Sequence, residues 1–132
     1  MPLYQPPAFA SDTSRCQALA ARFPFATLIT PTPDGPWLSH LVLLADPAQP
    51  GCLLGHLAAA NGHAQALQHY PSVAVFQGEH GYVSPRWYHS TGGVPTWNYR
   101  VAHAHCGVAD TVAGDALTAL LATLTQPFEG EG

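Results

Sequence analysis

The sequence is poor in positive charge. Its 132 residues include no lysine and only four arginines, against eight acidic residues, and the formal net charge at pH 7 is −4. Lysine and arginine supply much of the affinity of proteins for nucleic-acid phosphates. Because four scattered arginines do not form a basic face, we do not expect direct binding of nucleic acid.

Long apolar runs are also missing. No stretch approaches the roughly 18 consecutive apolar residues that a membrane-spanning helix needs. Residues 1–7 lack the basic segment and apolar run that begin a secretory signal peptide. We therefore expect a cytoplasmic protein with no membrane contact.

Cysteine is scarce and its spacing indicates no disulfide or zinc site. Cys16, Cys52 and Cys106 are odd in number and form no Cys-x-x-Cys pair, so each is interpreted as a small buried apolar residue. His103 and His105 would share one face of a strand, with Cys106 on the other. Because a zinc site usually takes three or four ligands, no metal site is predicted.

Sequence signatures of nucleophilic and nucleotide-binding chemistry are absent. The chain contains no Gly-x-Ser-x-Gly elbow, no Gly-x-x-x-x-Gly-Lys-Ser/Thr loop and no Gly-x-Gly-x-x-Gly fingerprint. Its few aspartates are interpreted as turn or cap residues. Any redox chemistry would therefore come from a bound cofactor, and the sequence leaves open whether the protein is an enzyme.

Alternating apolar residues and turn signals predict short strands with local helices. Helices are predicted over residues 13–22, 61–70 and 114–126. Strands are predicted over residues 25–30, 37–44, 52–57, 72–77, 82–84 and 96–108, with residues 78–81 as a loop. This pattern predicts one domain over residues 1–132, mainly β with short helices, built as an antiparallel barrel.

Residues 78–99 are unusually rich in aromatic, hydroxyl and amide side chains. Two readings remain open for Trp87, Tyr88, Trp97 and Tyr99. They either pack against the face of a flat ring ligand or build one end of the β core.

Five motifs in order along the chain resemble those of one family. They are Tyr4-x-Pro6-x-x-Phe9, Ser39-His40-Leu41, Gly55-His56-Leu57-Ala58, Tyr82-Val83-Ser84-Pro85-x-Trp87-Tyr88 and Val94-Pro95-Thr96-Trp97-Asn98-Tyr99. Together they resemble the FMN-binding split-barrel proteins of the PaiB type. The resemblance implies an FMN-binding split β-barrel and a homodimer with the flavin at the subunit interface. It also brings the family's label of negative transcriptional regulator.

Positions carried over from the family define an expected flavin neighbourhood. These residues are Ser39, His40, His56, Asn61, Thr96, Trp97 and Asn98, with Arg86 or Arg100 supplying charge for the phosphate. Asn61 has a second rationale, since a helix that it caps would offer backbone N–H groups to a phosphate.

Three departures from the family pattern leave open a weakened or lapsed flavin site. Ala59 replaces an arginine of the family pattern, which is a natural bidentate phosphate partner, and Arg86 stands at a position that is usually small. The usual C-terminal strand of the family, with its lysines, is not found in this chain. An unpaired strand edge is costly, so dimerisation is expected on this ground as well.

Other function classes also remain open. The chain is alternatively a non-catalytic regulatory or interaction protein, a flavin-reductase-like split barrel, or a split barrel that binds haem through an axial histidine. His80 and His89, in predicted loops, are candidates to line an open pocket.

Overall fold

The computed structural model describes residues 13–84, 95–112 and 115–129. Within these ranges the protein is mainly β-sheet with three short helices, which confirms the predicted fold class. The elements in order are α1 (Thr13–Arg22), β1 (Phe25–Thr30), β2 (Trp37–Val42), β3 (Leu44–Ala45), β4 (Leu53–Leu54), α2 (His63–His69), β5 (Ser72–Val83), β6 (Thr96–Cys106) and α3 (Asp115–Glu129). None of these helices is long and apolar enough to cross a membrane.

Four antiparallel strands form the main sheet in the order β2-β1-β5-β6, and β3 pairs with β4 in a separate ribbon. The described strands do not close into a continuous barrel. β1 is central because it pairs with β2 on one side and with β5 on the other. Because β1 lies between β2 and β5, its pairing register sets which residues of these two strands lie level with each other across the sheet.

The inner face of the sheet carries the core. Ala26 and Leu28 of β1 alternate with outward residues, and cross-strand pairing places Leu41 and Phe76 beside Ala26. Leu19 of α1 belongs to the same buried cluster. Burial of this apolar surface is the main favourable term in folding of the sheet.

The opposite face of the sheet, here called the outer face, is partly exposed. Its residues are Phe25, Thr27, Ile29, Leu38, His40, Val73, Val75, His103 and His105, by the alternation of the strands. Phe25 is 65% exposed and Leu38 is 55% exposed. The outer face is thus an apolar surface flanked by imidazoles, with His103 and His105 exposed at the β6 side.

β5 is longer than the sequence indicates. The predicted loop over residues 78–81 is wrong, because β5 continues through it and pairs with β6 on both sides of an irregularity between Gln77 and His80. A bulge absorbs one extra residue and bends a strand without ending it. His80 therefore stands on a strand and not in a loop.

Several predicted boundaries shift by a few residues. β2 ends at Val42, β4 covers only Leu53–Leu54 and β6 ends at Cys106. The helices α1 and α2 and the strand β1 lie where the sequence predicts them, while α3 covers Asp115–Glu129. The short strands differ most because single side chains of a two-residue strand carry little pattern.

The three cysteines differ in how far they are buried. Cys16 and Cys106 are half-buried against the core, and burial raises the pKa of the Cys106 thiol. Cys52 is exposed, so its interpretation as a buried apolar residue is wrong. It lies in the turn between β3 and β4, where the chain runs along the surface.

Some sequence predictions fall outside the described residues. These are the N-terminal motif with Tyr4, Pro6 and Phe9, and the residues Pro85, Arg86, Trp87, Tyr88, His89 and Val94.

Gly78 provides a test of how α1 packs on the sheet. A Cβ atom at Gly78 would lie 2.6 Å from Leu19 Cδ1 and 3.3 Å from Arg100 Cβ, whereas one at Gly81 in the same strand would meet nothing within 4 Å. We expect Gly78→Ala to lower the free energy of unfolding by about 1–3 kcal/mol, because overpacking forces the buried leucine to move. Urea unfolding measures it, with Gly81→Ala as the matched control. Equal stability of the two variants would contradict the packing described.

Candidate functional site

Four polar side chains form a buried cluster, here called the His63 cluster. It consists of Thr30, Ser39, His63 and Ser72. The His63 ring bonds Thr30 Oγ1 through Nε2 at 2.7 Å and Ser39 Oγ through Nδ1 at 2.6 Å. Thr30 Oγ1 also lies 2.6 Å from Ser72 Oγ. Three hydrogen bonds thus join β1, β2, β5 and α2 in one chain.

The strand pattern brings this cluster together. Thr30 is the last residue of the inward series of β1, after Ala26 and Leu28, and it has no solvent exposure. Ser72 opens β5, two residues before its inward Ala74. A buried polar residue needs a hydrogen-bond partner, and the Thr30 and Ser72 hydroxyls bond to each other.

Asn61 holds the imidazole in place through the backbone. Its Oδ1 accepts a hydrogen bond from the His63 N–H at 3.0 Å. Trp37 stacks on the His63 ring, with centroids 6.2 Å apart and planes 24° apart. A Cβ at Gly62 would lie 2.7 Å from the indole, so glycine is needed for Trp37 to lie this close to the start of α2.

Burial sets the charge of His63. The side chain has no solvent exposure, and desolvation lowers its pKa below the ordinary value of 6.5. Desolvation disfavours the charged form of an imidazole. At neutral pH the ring is therefore neutral, with one nitrogen that donates and one that accepts.

Ser39 and His40 lie on opposite faces of β2. Ser39 points to the inner face and joins the His63 cluster, whereas His40 points to the outer face and hydrogen-bonds with Thr27 Oγ1 at 3.1 Å. Adjacent residues of a strand always diverge in this way. The two side chains therefore lie on different faces of this edge strand.

His40 and His56 line the same cleft of about 300 Å³, together with Leu124 and Thr125 of α3. Both imidazoles are exposed. The structure thus brings together two of the predicted flavin residues from β2 and from the segment after β4.

At the start of α2 the N–H groups of His63, Ala64 and Gln65 already have acceptors within the chain. Asn61 Oδ1 accepts from His63, the Asn61 carbonyl accepts from Ala64, and the Gly62 carbonyl accepts from Gln65. The side chain of Asn61 binds the first turn as predicted, although the helix begins at His63 and is only 7 residues long. Asn61 contributes to the site here by anchoring His63.

Thr96, Trp97 and Asn98 lie far from His40 within one chain. His40 is level with His103 across the sheet, and Trp97 lies six residues from His103 along β6. At about 3.4 Å per residue this is about 20 Å, with about 14 Å more across three strand spacings. No side chain spans that distance.

An aromatic face surrounds Trp97. Its ring lies 5.8 Å from Tyr82 and 6.2 Å from His80, and all three side chains are exposed. Tyr99 lies opposite His80 and is 69% exposed. These rings leave flat apolar surface in water, which favours contact with another ring or chain.

Arg100 lies in a charged triad at the β5 bulge. Its guanidinium is 3.2 Å from Glu79, and Arg22 of α1 is 3.6 Å from the same carboxylate. All three side chains are at least half exposed, so these pairs contribute little stability. Two cations share one anion, and the triad keeps a net charge of +1. Arg86, the other predicted phosphate partner, lies outside the described residues.

The exposed histidines do not assemble with other ligands in the described residues. Across those ranges no three His, Cys, Asp or Glu side chains converge as a metal site would require. His103 and His105 lie on the outer face, level with Val75 and Val73.

Sequence reasoning missed His63, Thr30 and Ser72. One signal was available, since Thr30 and Ser72 stand at inward positions of strands whose other inward residues are apolar. A hydroxyl at such a position needs an internal partner. Nothing in the local sequence identifies His63 as that partner, because it approaches from a different element.

Comparison with known proteins agrees with this architecture. The family model described as "Putative FMN-binding domain" matches residues 3–132, and the chain belongs to this family. The resemblance to the PaiB type is thereby confirmed. A curated relative, "Protease synthase and sporulation protein PAI 2" of Bacillus subtilis (strain 168), is 33% identical over 107 residues. The match covers 80% of this chain and 51% of that protein, so the chain spans about half the length of the curated relative.

The His63 cluster predicts that replacing Thr30 lowers the free energy of unfolding much more than replacing Thr27 of the same strand. Thr30→Val preserves shape but leaves His63 Nε2 and Ser72 Oγ without their partner. We expect a loss of about 1–3 kcal/mol in the free energy of unfolding, because buried polar groups would be left unsatisfied. Thr27→Val, which removes an exposed hydrogen bond, should change stability little. Denaturant unfolding compares the two, and equal losses would contradict the cluster.

Stability should fall in mild acid through His63. Because its folded pKa lies below 6.5, the unfolded chain binds more protons just below that pH, and stability declines as pH falls through this window. The loss at pH 5.5 reaches at most about 1.4 kcal/mol for one such group. Urea unfolding at pH 7.5 and 5.5 should show a smaller loss for His63→Gln than for wild type. His69→Gln, at an exposed position of the same helix, should match wild type.

Proposed function

We propose that this protein binds FMN at an interface between two copies of the chain. Ser39, His40 and His56 of one copy form one side of the site, and Thr96, Trp97 and Asn98 of the other copy form the second side. The proposal rests on the strand register, which puts Trp97 six residues along β6 from the level of His40, about 20 Å for an ideal strand. Membership of an FMN-binding-type family supports the choice of ligand.

The chemistry of the described residues fits the ligand. The isoalloxazine ring needs flat apolar contacts, and the exposed rings of Trp97 and Tyr99 offer them. The polar edge of the ring needs hydrogen-bond partners, which Ser39, His40 and His56 supply. The phosphate needs positive charge, and the triad of Arg22, Glu79 and Arg100 retains one net cation.

The outer face supports pairing of two chains. Phe25 and Leu38 expose more than half of their surface, and Ile29, Val73 and Val75 continue the apolar area between them. A large contiguous apolar face on a small protein marks an interaction surface. A second copy would cover this face and bring the β5–β6 end of one chain near the β2 edge of the other.

FMN, when bound, supplies electron or hydride transfer, and the chain's own residues bind and orient it. The rings of Trp97 and Tyr99 would exclude water from the flavin face. His40 and His56 line the cleft, where their ring nitrogens offer hydrogen bonds to a ligand. The arrangement therefore supports a flavin-binding role, with the regulatory role as the alternative if no flavin is held.

A complementation experiment tests the shared site. His40→Ala and Trp97→Ala should each weaken FMN binding about tenfold, measured by quenching of flavin fluorescence. A heterodimer that pairs the two variants, isolated through two different tags, should recover tight binding at about one of its two sites, since closed two-fold symmetry leaves one site intact. A site within one chain would show no recovery.

The control pairs His40→Ala with His56→Ala, which belong to the same side of the site and should not complement each other. The proposal fails if the wild-type protein does not quench FMN at micromolar concentration, or if light scattering finds a monomer. A haem spectrum in the freshly purified protein would point to the haem alternative. A shift of DNA mobility at low salt would instead favour the regulatory role.

A further inference from the structure

Counting the protons of the His63 cluster shows which group donates and which accepts in each of its hydrogen bonds. A neutral imidazole and three hydroxyls hold four protons, and the three hydrogen bonds of the cluster use three of them. One proton therefore points away from the cluster. Its position depends on which nitrogen of His63 carries hydrogen.

Protonation at Nε2 is disfavoured by burial. Nε2–H would donate to Thr30, and a hydroxyl proton of either Thr30 or Ser72 would then have no acceptor. Thr30 is 0% exposed and Ser72 is 4% exposed, and within the described part of the chain Thr30 is the hydrogen-bond partner of the Ser72 hydroxyl. A buried donor without an acceptor costs about 1–3 kcal/mol.

Protonation at Nδ1 leaves no buried donor unpaired. Ser72 then donates to Thr30, Thr30 donates to Nε2, and Nδ1–H donates to Ser39 Oγ. The remaining proton is that of the Ser39 hydroxyl, and Ser39 is half-buried at the edge strand of the sheet. That proton is the one that can reach a group outside the chain.

We propose that His63 is a positioning residue that fixes Ser39 as a hydrogen-bond donor toward a bound ligand. Ser39 then offers its proton to a ligand atom that accepts, such as a carbonyl oxygen or an unprotonated ring nitrogen. For a flavin, these are the carbonyl oxygens and the unprotonated nitrogens of the isoalloxazine. This identification of the ligand atom rests on the proposed function, whereas the direction of the cluster does not.

Several features of the structure hold this arrangement in one state. Asn61 fixes the His63 backbone and Trp37 covers the ring, so the imidazole has little freedom to rotate. The lowered pKa of His63 keeps the ring neutral at pH 7, which the count of protons requires. Ser39 is thereby held as a donor before any ligand arrives.

The first arm of the test needs no flavin. Two-bond nitrogen–proton NMR correlations of the His63 ring in the wild-type protein at pH 7.5 report which nitrogen bears hydrogen. We expect hydrogen on Nδ1 and none on Nε2. Hydrogen on Nε2, or rapid exchange between the two forms, would overturn the proposal whether or not the protein binds FMN.

The second arm uses FMN and matched variants. Ser39→Ala should weaken FMN binding about 3- to 10-fold, as expected for loss of one hydrogen bond, and Ser39→Thr should retain it. His63→Gln should also retain binding, because its amide nitrogen can donate to Ser39 while its carbonyl accepts from Thr30. His63→Leu should lose as much as Ser39→Ala, and the double variant should lose no more than either.

A purely structural role gives a different result. His63→Leu would then lower the melting temperature while FMN affinity per folded molecule stayed unchanged, or its effect would add to that of Ser39→Ala. Either outcome overturns the positioning role. Absence of FMN binding in the wild type would remove the proposed function alone, and the NMR arm would still decide the direction of the cluster.

Discussion

Thr30 occupies the point where β1, β2, β5 and α2 converge, and its hydroxyl is bonded to two of these elements at once. Through His63 it reaches Ser39 of β2, and directly it reaches Ser72 of β5. A buried polar chain of this kind is favourable only when every member is satisfied. Pairing of the strands and docking of α2 are therefore interdependent, because loss of either leaves hydroxyls in the core without partners.

The same constraint separates two kinds of surface. Inside the sheet, the buried residues of β1, β2 and β5 are apolar or members of the His63 cluster. Outside it, an apolar face with flanking imidazoles is left partly exposed, and the β5–β6 end carries exposed aromatic rings. A single chain thus has a well-satisfied interior and a partly exposed apolar exterior, which is the physical basis of the site that we propose between two copies.

The protein has few charged side chains. The described arginines Arg22 and Arg100 converge on Glu79 at the β5 bulge, where the strand bends beneath α1. This local concentration of cations contrasts with an overall net charge of −4. The net positive charge at this point attracts anionic groups.

Sequence patterns determined much of the local structure. Alternation in β1, the apolar stripe of α1 and the proline after α2 placed these elements correctly, and the family motifs identified the class of protein. The loop predicted over residues 78–81 was wrong because bulges and turns use similar residues. Only the pairing of β5 with β6 distinguishes the two. Alternation along the predicted strand already puts Ser39 and His40 on opposite faces, but only the tertiary structure showed what surrounds each of them. His63 came to Thr30, Ser39 and Ser72 through contacts between residues 24 to 42 positions apart along the chain, and the tertiary structure alone decides such contacts.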